Sequence, residues 1–181
     1  FCLNGKTIFL HGNAWDRNNK ITPDFFQRLK KANINIARSW SAPSLQSVYD
    51  QADRDGVMII DEAGATPENE WKIRHGDIEE FHNNYLRELP RRIYANYNHP
   101  SIVIWSMGNE MWTTPVPILN EKYDTAKKFD QSRPILSAAG GTAYRVGGML
   151  NQDYKDYKTD INDVHCYHGW YEKPILFMED W

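Results

Sequence analysis

The chain has 181 residues, a formal net charge of −3 and 41% hydrophobic residues, which is enough to bury one sizeable core. Lys and Arg form no phosphate-tracking patch, arguing against a nucleic-acid partner. Apolar runs stop at about seven residues, far short of a membrane span, so no membrane partner is expected. Cys2 and Cys166 lack the spacing of a disulfide framework or metal site and read as buried free thiols. Seven Trp and ten Tyr suit a core, and equally a sugar site, where a flat ring matches the C–H face of a pyranose.

In chain order, Thr7 to Leu10 reads as a short strand. Thr22-Pro23-Asp24 combines an N-cap residue, a first-turn proline and an acid beside the helix dipole. It opens a helix with Phe25, Phe26, Leu29 and Ala32 on one face. Ile34 to Ala37 is the second strand, ending at Arg38-Ser39-Trp40. Pro43-Ser44 opens a helix carrying Leu45, Val48, Tyr49 and Ala52, stopped by Gly56. Val57 to Ile60 is the third strand and finishes in Asp61-Glu62. A polar loop from Gly64 to Gly76 leads to a long helix, Ile78 to about Tyr97, which Pro90 should kink or split. Ile102 to Trp105 is the fourth strand, running into Gly108-Asn109-Glu110. Ile118 to Phe129 reads as a helix and Ile135 to Ala138 as a strand. A Gly- and Tyr-rich loop with a short helix near Tyr154 then reaches Asn162, and Asp163 to Tyr167 is the sixth strand.

Uninterrupted apolar strands alternating with amphipathic stretches imply an α/β fold with a parallel sheet buried on both faces. An open doubly wound sheet and a (β/α)8 TIM barrel both fit. The open fold announces itself with a glycine-rich phosphate turn after the first strand, and His11-Gly12-Asn13-Ala14-Trp15 is not one. The barrel is therefore preferred. It takes about 250 residues, so residues 1–181 are expected to be part of the catalytic domain of a longer protein, an incomplete barrel of six strands and the start of the sixth helix.

Active sites of such barrels lie at the C-terminal strand ends. Those ends carry His11 and Asn13, Arg38 and Trp40, Asp61 and Glu62, Asn109 and Glu110, then His165, Tyr167 and His168. An Arg or Asp after a strand ordinarily caps a helix or pairs at the surface. Convergence on one rim is what points to a site. A carboxylic acid at the wall of a partly apolar cleft suits general-acid work, which singles out Glu110, with Trp105 and Trp112 expected to supply the apolar wall.

Asn98-His-Pro-Ser-Ile-Val-Ile-Trp-Ser-Met-Gly-Asn-Glu110 resembles the acid/base signature of family 2 glycoside hydrolases, the β-galactosidase, β-glucuronidase and β-mannosidase group. Leu3 to Gly12 resembles the family's first strand and Ala52 to Glu62 its third. Asp163 to Tyr171 is similar to the sixth-strand region of glucuronidase-like members. The resemblance implies a retaining, exo-acting β-glycosidase for β-galactosides or β-glucuronides, without a cofactor and flanked by β-sandwich domains. Glu110 is then the acid/base, Asn109 the partner of the sugar 2-hydroxyl, Arg38 a neighbour of the nucleophile and Tyr167 its orienting group. His165, Trp40 and Trp170 complete the expected sugar-binding set.

The second carboxylate of such a mechanism lies about 5 Å from the first and ends the seventh strand in the family. Pro174-Ile-Leu-Phe-Met-Glu179 imitates it, but a parallel crossover takes a dozen residues or more. Glu179 therefore reads as part of the sixth helix, and the nucleophile is expected beyond residue 181. Some family galactosidases bind a cation after the third strand. Ala63-Gly-Ala-Thr-Pro offers no ligand there, and no metal is expected. Two other readings stay open: an endo-acting clan relative of mannanase or cellulase type, and a non-catalytic sugar-binding barrel.

Overall fold

The computed structural model describes residues 1–16, 21–40, 44–64, 78–111, 114–137, 158–161 and 163. A two-stranded antiparallel hairpin, β1 (Cys2–Leu3) and β2 (Lys6–Thr7), precedes five parallel strands among the described residues. These are β3 (Gly12–Asp16), β4 (Ile36–Trp40), β5 (Met58–Glu62), β6 (Ile102–Ser106) and β7 (Ile135–Leu136). They lie side by side in sequence order. Among the described residues four helices connect them: α1 (Phe25–Lys31), α2 (Gln46–Asp55), α3 (Ile78–Asn96) and α4 (Val116–Phe129). Sequential parallel neighbours joined by helices form the β/α order of a barrel wall, here the described part of one. No helix among the described residues is long and apolar enough to cross a membrane.

Strand period sorts the side chains into two layers. Ala37, Ile59, Trp105 and Ile135 face the helices and share a core with Phe26, Leu29, Tyr49, Leu89, Ile93 and Ala126. Ile36, Met58, Val103, Ile104 and Leu136 form a second, interior cluster. Ile59 pairs with Ile102 and Ile60 with Ile104, so Val103 is an extra residue in the ladder. That bulge turns both Val103 and Ile104 toward the interior and restores the parity that aims Ser106 inward beside Glu62.

The first strand differs from the sequence expectation. Residues Thr7 to Leu10 do not form the first barrel strand, which is Gly12–Asp16 instead. Asn4 and Gly5, at φ 52° and 77°, make the tight turn of the β1–β2 hairpin, and Ile8 and Leu10 pack onto the interior cluster. His11 consequently sits before β3, at the opposite end from the strand termini. Its backbone N–H donates to Asn35 Oδ1 at 2.9 Å. Pro90 lies inside α3 without dividing it. Gly56 ends α2 as expected, in the left-handed region at φ 66°. Leu45, expected on the buried face of α2, is exposed just before its first turn, and Cys2, expected to be buried, is an exposed free thiol. The expected loop from Gly64 to Gly76, helix near Tyr154 and sixth strand fall almost wholly outside the described residues.

Candidate active site

Arg38 in β4 and Glu62 in β5 face inward, and the turn after β6 brings Asn109 above them. The Arg38 Nε donates to Glu62 Oε2 at 2.8 Å, its Nη2 lies 2.6 Å from the same oxygen, and Nη2 donates to Asn109 Oδ1 at 2.5 Å. Ser106 Oγ donates to Glu62 Oε2 at 3.0 Å. Glu62 is fully buried, whereas the Arg38 side chain keeps 16% of its surface. The guanidinium therefore lies over a buried carboxylate at the mouth of the strands. With its carbonyl oxygen committed to Arg38, the Asn109 amide presents its NH2 as the group available to a ligand hydroxyl.

Glu110 follows in a left-handed backbone conformation, φ 52°. A non-glycine residue there costs on the order of 1 kcal/mol or more, and it persists where the surroundings over-determine it. Trp40, two residues beyond Arg38 and on the same strand face, is 43% exposed. An exposed indole at the mouth can stack on a sugar face.

Two expectations need correction. Trp105 does not wall Glu110. It points to the helix layer, where its indole N–H donates to Asp130 Oδ2 at 2.8 Å. Asp130 also accepts from Ser132 Oγ at 2.6 Å and Arg133 Nη1 at 2.7 Å. Burial works against its charge, but these hydrogen bonds from Ser132, Trp105 and Arg133 prevail and hold the carboxyl well below the usual range. Asp61, read with Glu62 as a rim acid, faces outward. It accepts from Tyr49 Oη at 2.6 Å and pairs with Arg92 of α3 at 2.8 Å. Burial, then the Asp61 charge, pushes the Tyr49 phenol far above its ordinary value. Burial disfavours the Arg92 charge, and Asp61 more than restores it.

The sequence reading left Glu62 out of its site set. The signal was strand period: of two adjacent acids only one can share the face of Arg38. Tyr85, discussed below, carried no local signal because it projects from a helix. Tyr167, His165 and Trp170 lie outside the described residues, as does Glu179.

One group of metal-ligand side chains occurs among the described residues. Asp50, Asp53 and His99 place ligand atoms within 4.8 Å of one another, beside the N-terminal end of β6. Asp53 and His99 are engaged in a brace. Asp53 accepts from the Ser101 N–H at 2.8 Å and from His99 Nδ1 at 2.6 Å, and His99 Nε2 meets the Gln46 amide. Burial opposes the Asp53 charge, but the Ser101 and His99 hydrogen bonds outweigh it and lower its pKa.

Residues 1–180 match the model of the glycosyl hydrolases family 2 TIM barrel domain. The chain belongs to glycosyl hydrolase family 2. A β-galactosidase of Alteromonas mediterranea is 29% identical over 136 residues, covering 75% of this family 2 chain and 13% of the relative. A β-glucuronidase of Paenibacillus borealis is 29% identical over 167 residues, covering 82% of the chain and 25% of the relative. The chain thus spans a quarter or less of the length of these curated relatives. The crystal structure of a Parabacteroides merdae β-glucuronidase superposes with a TM-score of 0.69 at 20% identity, over 94% of this chain and 22% of that one. It supports the family 2 barrel fold.

Proposed function

We propose that the protein is a retaining, exo-acting β-glycosidase of β-galactoside or β-glucuronide type, with Glu110 as its acid/base. The observation that carries this reading is the Arg38–Glu62–Asn109 arrangement at the strand ends, immediately before the strained Glu110. Glu110 protonates the glycosidic oxygen as the bond breaks, a second carboxylate takes the anomeric carbon, and Glu110 then removes a proton from the attacking water. Asn109 donates its amide N–H to the sugar 2-hydroxyl, a contact that strengthens as charge develops on the ring. Arg38 fixes the Asn109 amide and supplies positive charge beside the second carboxylate. Trp40 offers a stacking face for the substrate, and His165, Tyr167 and Trp170 complete the proposed sugar-binding set. The second carboxylate is assigned beyond residue 181, and flanking β-sandwich domains complete the protein.

The test is Glu110→Gln in the full protein. Hydrolysis of alkyl glycosides should fall by about 10²–10⁴-fold, the usual worth of a positioned proton donor. Glycosylation by activated aryl glycosides, which leave without a proton, should be largely spared. Equal, mild losses on both substrate classes contradict the assignment.

A further inference from the structure

Glu110 stands on a turn whose backbone is unfavourable for a glutamate, so something outside the turn must hold it. Arg38 holds Asn109, and the Met107 N–H donates to the Leu136 carbonyl at 2.8 Å; contacts at both ends of the segment come from one side chain on α3. The Tyr85 hydroxyl donates to the Met107 carbonyl at 2.7 Å and passes 3.7 Å from the Met107 sulfur. Met107 is three residues before Glu110. The Tyr85 ring also packs against Met111 and Leu119, both fully buried, and Met111 is the residue after Glu110. One ring thus grips both ends of the segment that carries the acid. The ring is itself held from α4: Lys122, fully buried, places Nζ 4.2 Å from its centroid. A cation over an aromatic face is worth up to about 2 kcal/mol when desolvated.

We propose that Tyr85, braced by Lys122, is a positioning residue for Glu110, fixing the turn so that the carboxyl meets the leaving oxygen. The proposal rests on the acid/base reading of Glu110. The role assigned to Tyr85 is indirect. It acts through the Met107 carbonyl and the Met111 side chain, which bracket the Gly108-Asn109-Glu110 turn. A misplaced donor loses proton transfer first, and with it the bond cleavages that depend on proton transfer. The defect must therefore grow as the leaving group becomes poorer.

The experiment compares Tyr85→Phe with Glu110→Gln and Tyr123→Phe in the full protein, on one alkyl and one activated aryl glycoside. Tyr85→Phe keeps the ring and removes the hydroxyl. Its kcat/KM on the alkyl glycoside, which reports glycosylation, should fall about tenfold, while kcat/KM on the activated aryl glycoside stays near the parent value. Tyr123→Phe removes another tyrosine hydrogen bond, to Asp160 at 2.8 Å, and should leave both rates unchanged. Lys122→Gln, read in the same way, should show a smaller loss with the same leaving-group dependence and stands in should Tyr85→Phe fail to accumulate. A uniform loss of kcat/KM on both glycosides, or none, from the folded variants overturns the proposal. If Glu110→Gln itself shows no leaving-group dependence, the acid/base reading fails. If it shows that dependence while Tyr85→Phe does not, only the role of Tyr85 falls.

Discussion

Arg38 and Asn109 stand 71 positions apart in the chain and meet through a 2.5 Å hydrogen bond at the mouth of the strands. The same Nη2 lies 2.6 Å from the buried carboxylate of Glu62. One planar guanidinium therefore sets the orientation of the Asn109 amide and neutralises the carboxylate beneath it, two tasks that need a rigid fork.

Arg38→Lys keeps the charge but lacks the fork. A single ammonium can hold Glu62 or Asn109 well, not both, so kcat/KM of the full protein should fall about 10–100-fold, roughly 1.4–2.7 kcal/mol of transition-state stabilisation. The thermal midpoint should change little, because Glu62 stays paired. Steady-state kinetics beside a melting curve check this, and parent-like kinetics would remove Arg38 from the site.

Asp61 and Glu62 are neighbours with opposite assignments. Asp61→Asn breaks a buried pair with Arg92 and should cost about 3–5 kcal/mol of stability, while the rate per folded molecule stays close to parent. Glu62→Gln should do the reverse, losing activity with a smaller loss of stability, because Arg38 at the mouth can still reach water. Urea unfolding and active-site titration on the two variants separate the effects. The same ranking in both assays would contradict the opposite facing of the two acids.

The family motif and most of the helix and strand order were readable from sequence because each rests on local pattern: apolar strands, helical spacing, the αL glycine at Gly56. Facing was harder. Asp61 and Glu62 look alike until the pairing Ser39–Asp61 places one acid with the helices. Trp105 looked like a wall of the acid because it is close in sequence, yet strand parity sends it to Asp130. His11 moved to the wrong end because the Asn4-Gly5 turn claimed residues that resemble the first barrel strand. The role offered for Tyr85 depends on tertiary contact alone, and nothing within its own helix announces it.

Asp130 carries a pH signature. Its folded pKa is depressed below the ordinary value for an aspartate, so its contribution to stability is present above that value and is lost as pH falls through the folded pKa. Asp130→Asn should therefore destabilise the protein at pH 7 by roughly 2–4 kcal/mol, since Arg133 loses its buried partner. The gap between parent and variant should narrow progressively below about pH 4. Unfolding curves across that range test it, and a gap independent of pH would show that the Asp130 charge contributes nothing.

In the proposed mechanism Glu110 donates the proton to the leaving oxygen and later takes one from water. Removing it should therefore leave a glycosyl-enzyme that forms from an activated aryl glycoside and waits for a nucleophile needing no base. The most direct measurement is turnover of such a glycoside by Glu110→Ala in the full protein, with and without azide. The account predicts slow turnover, acceleration by azide of about tenfold or more, and a β-glycosyl azide as product. Turnover unaffected by azide, or an α-configured azide, would contradict it.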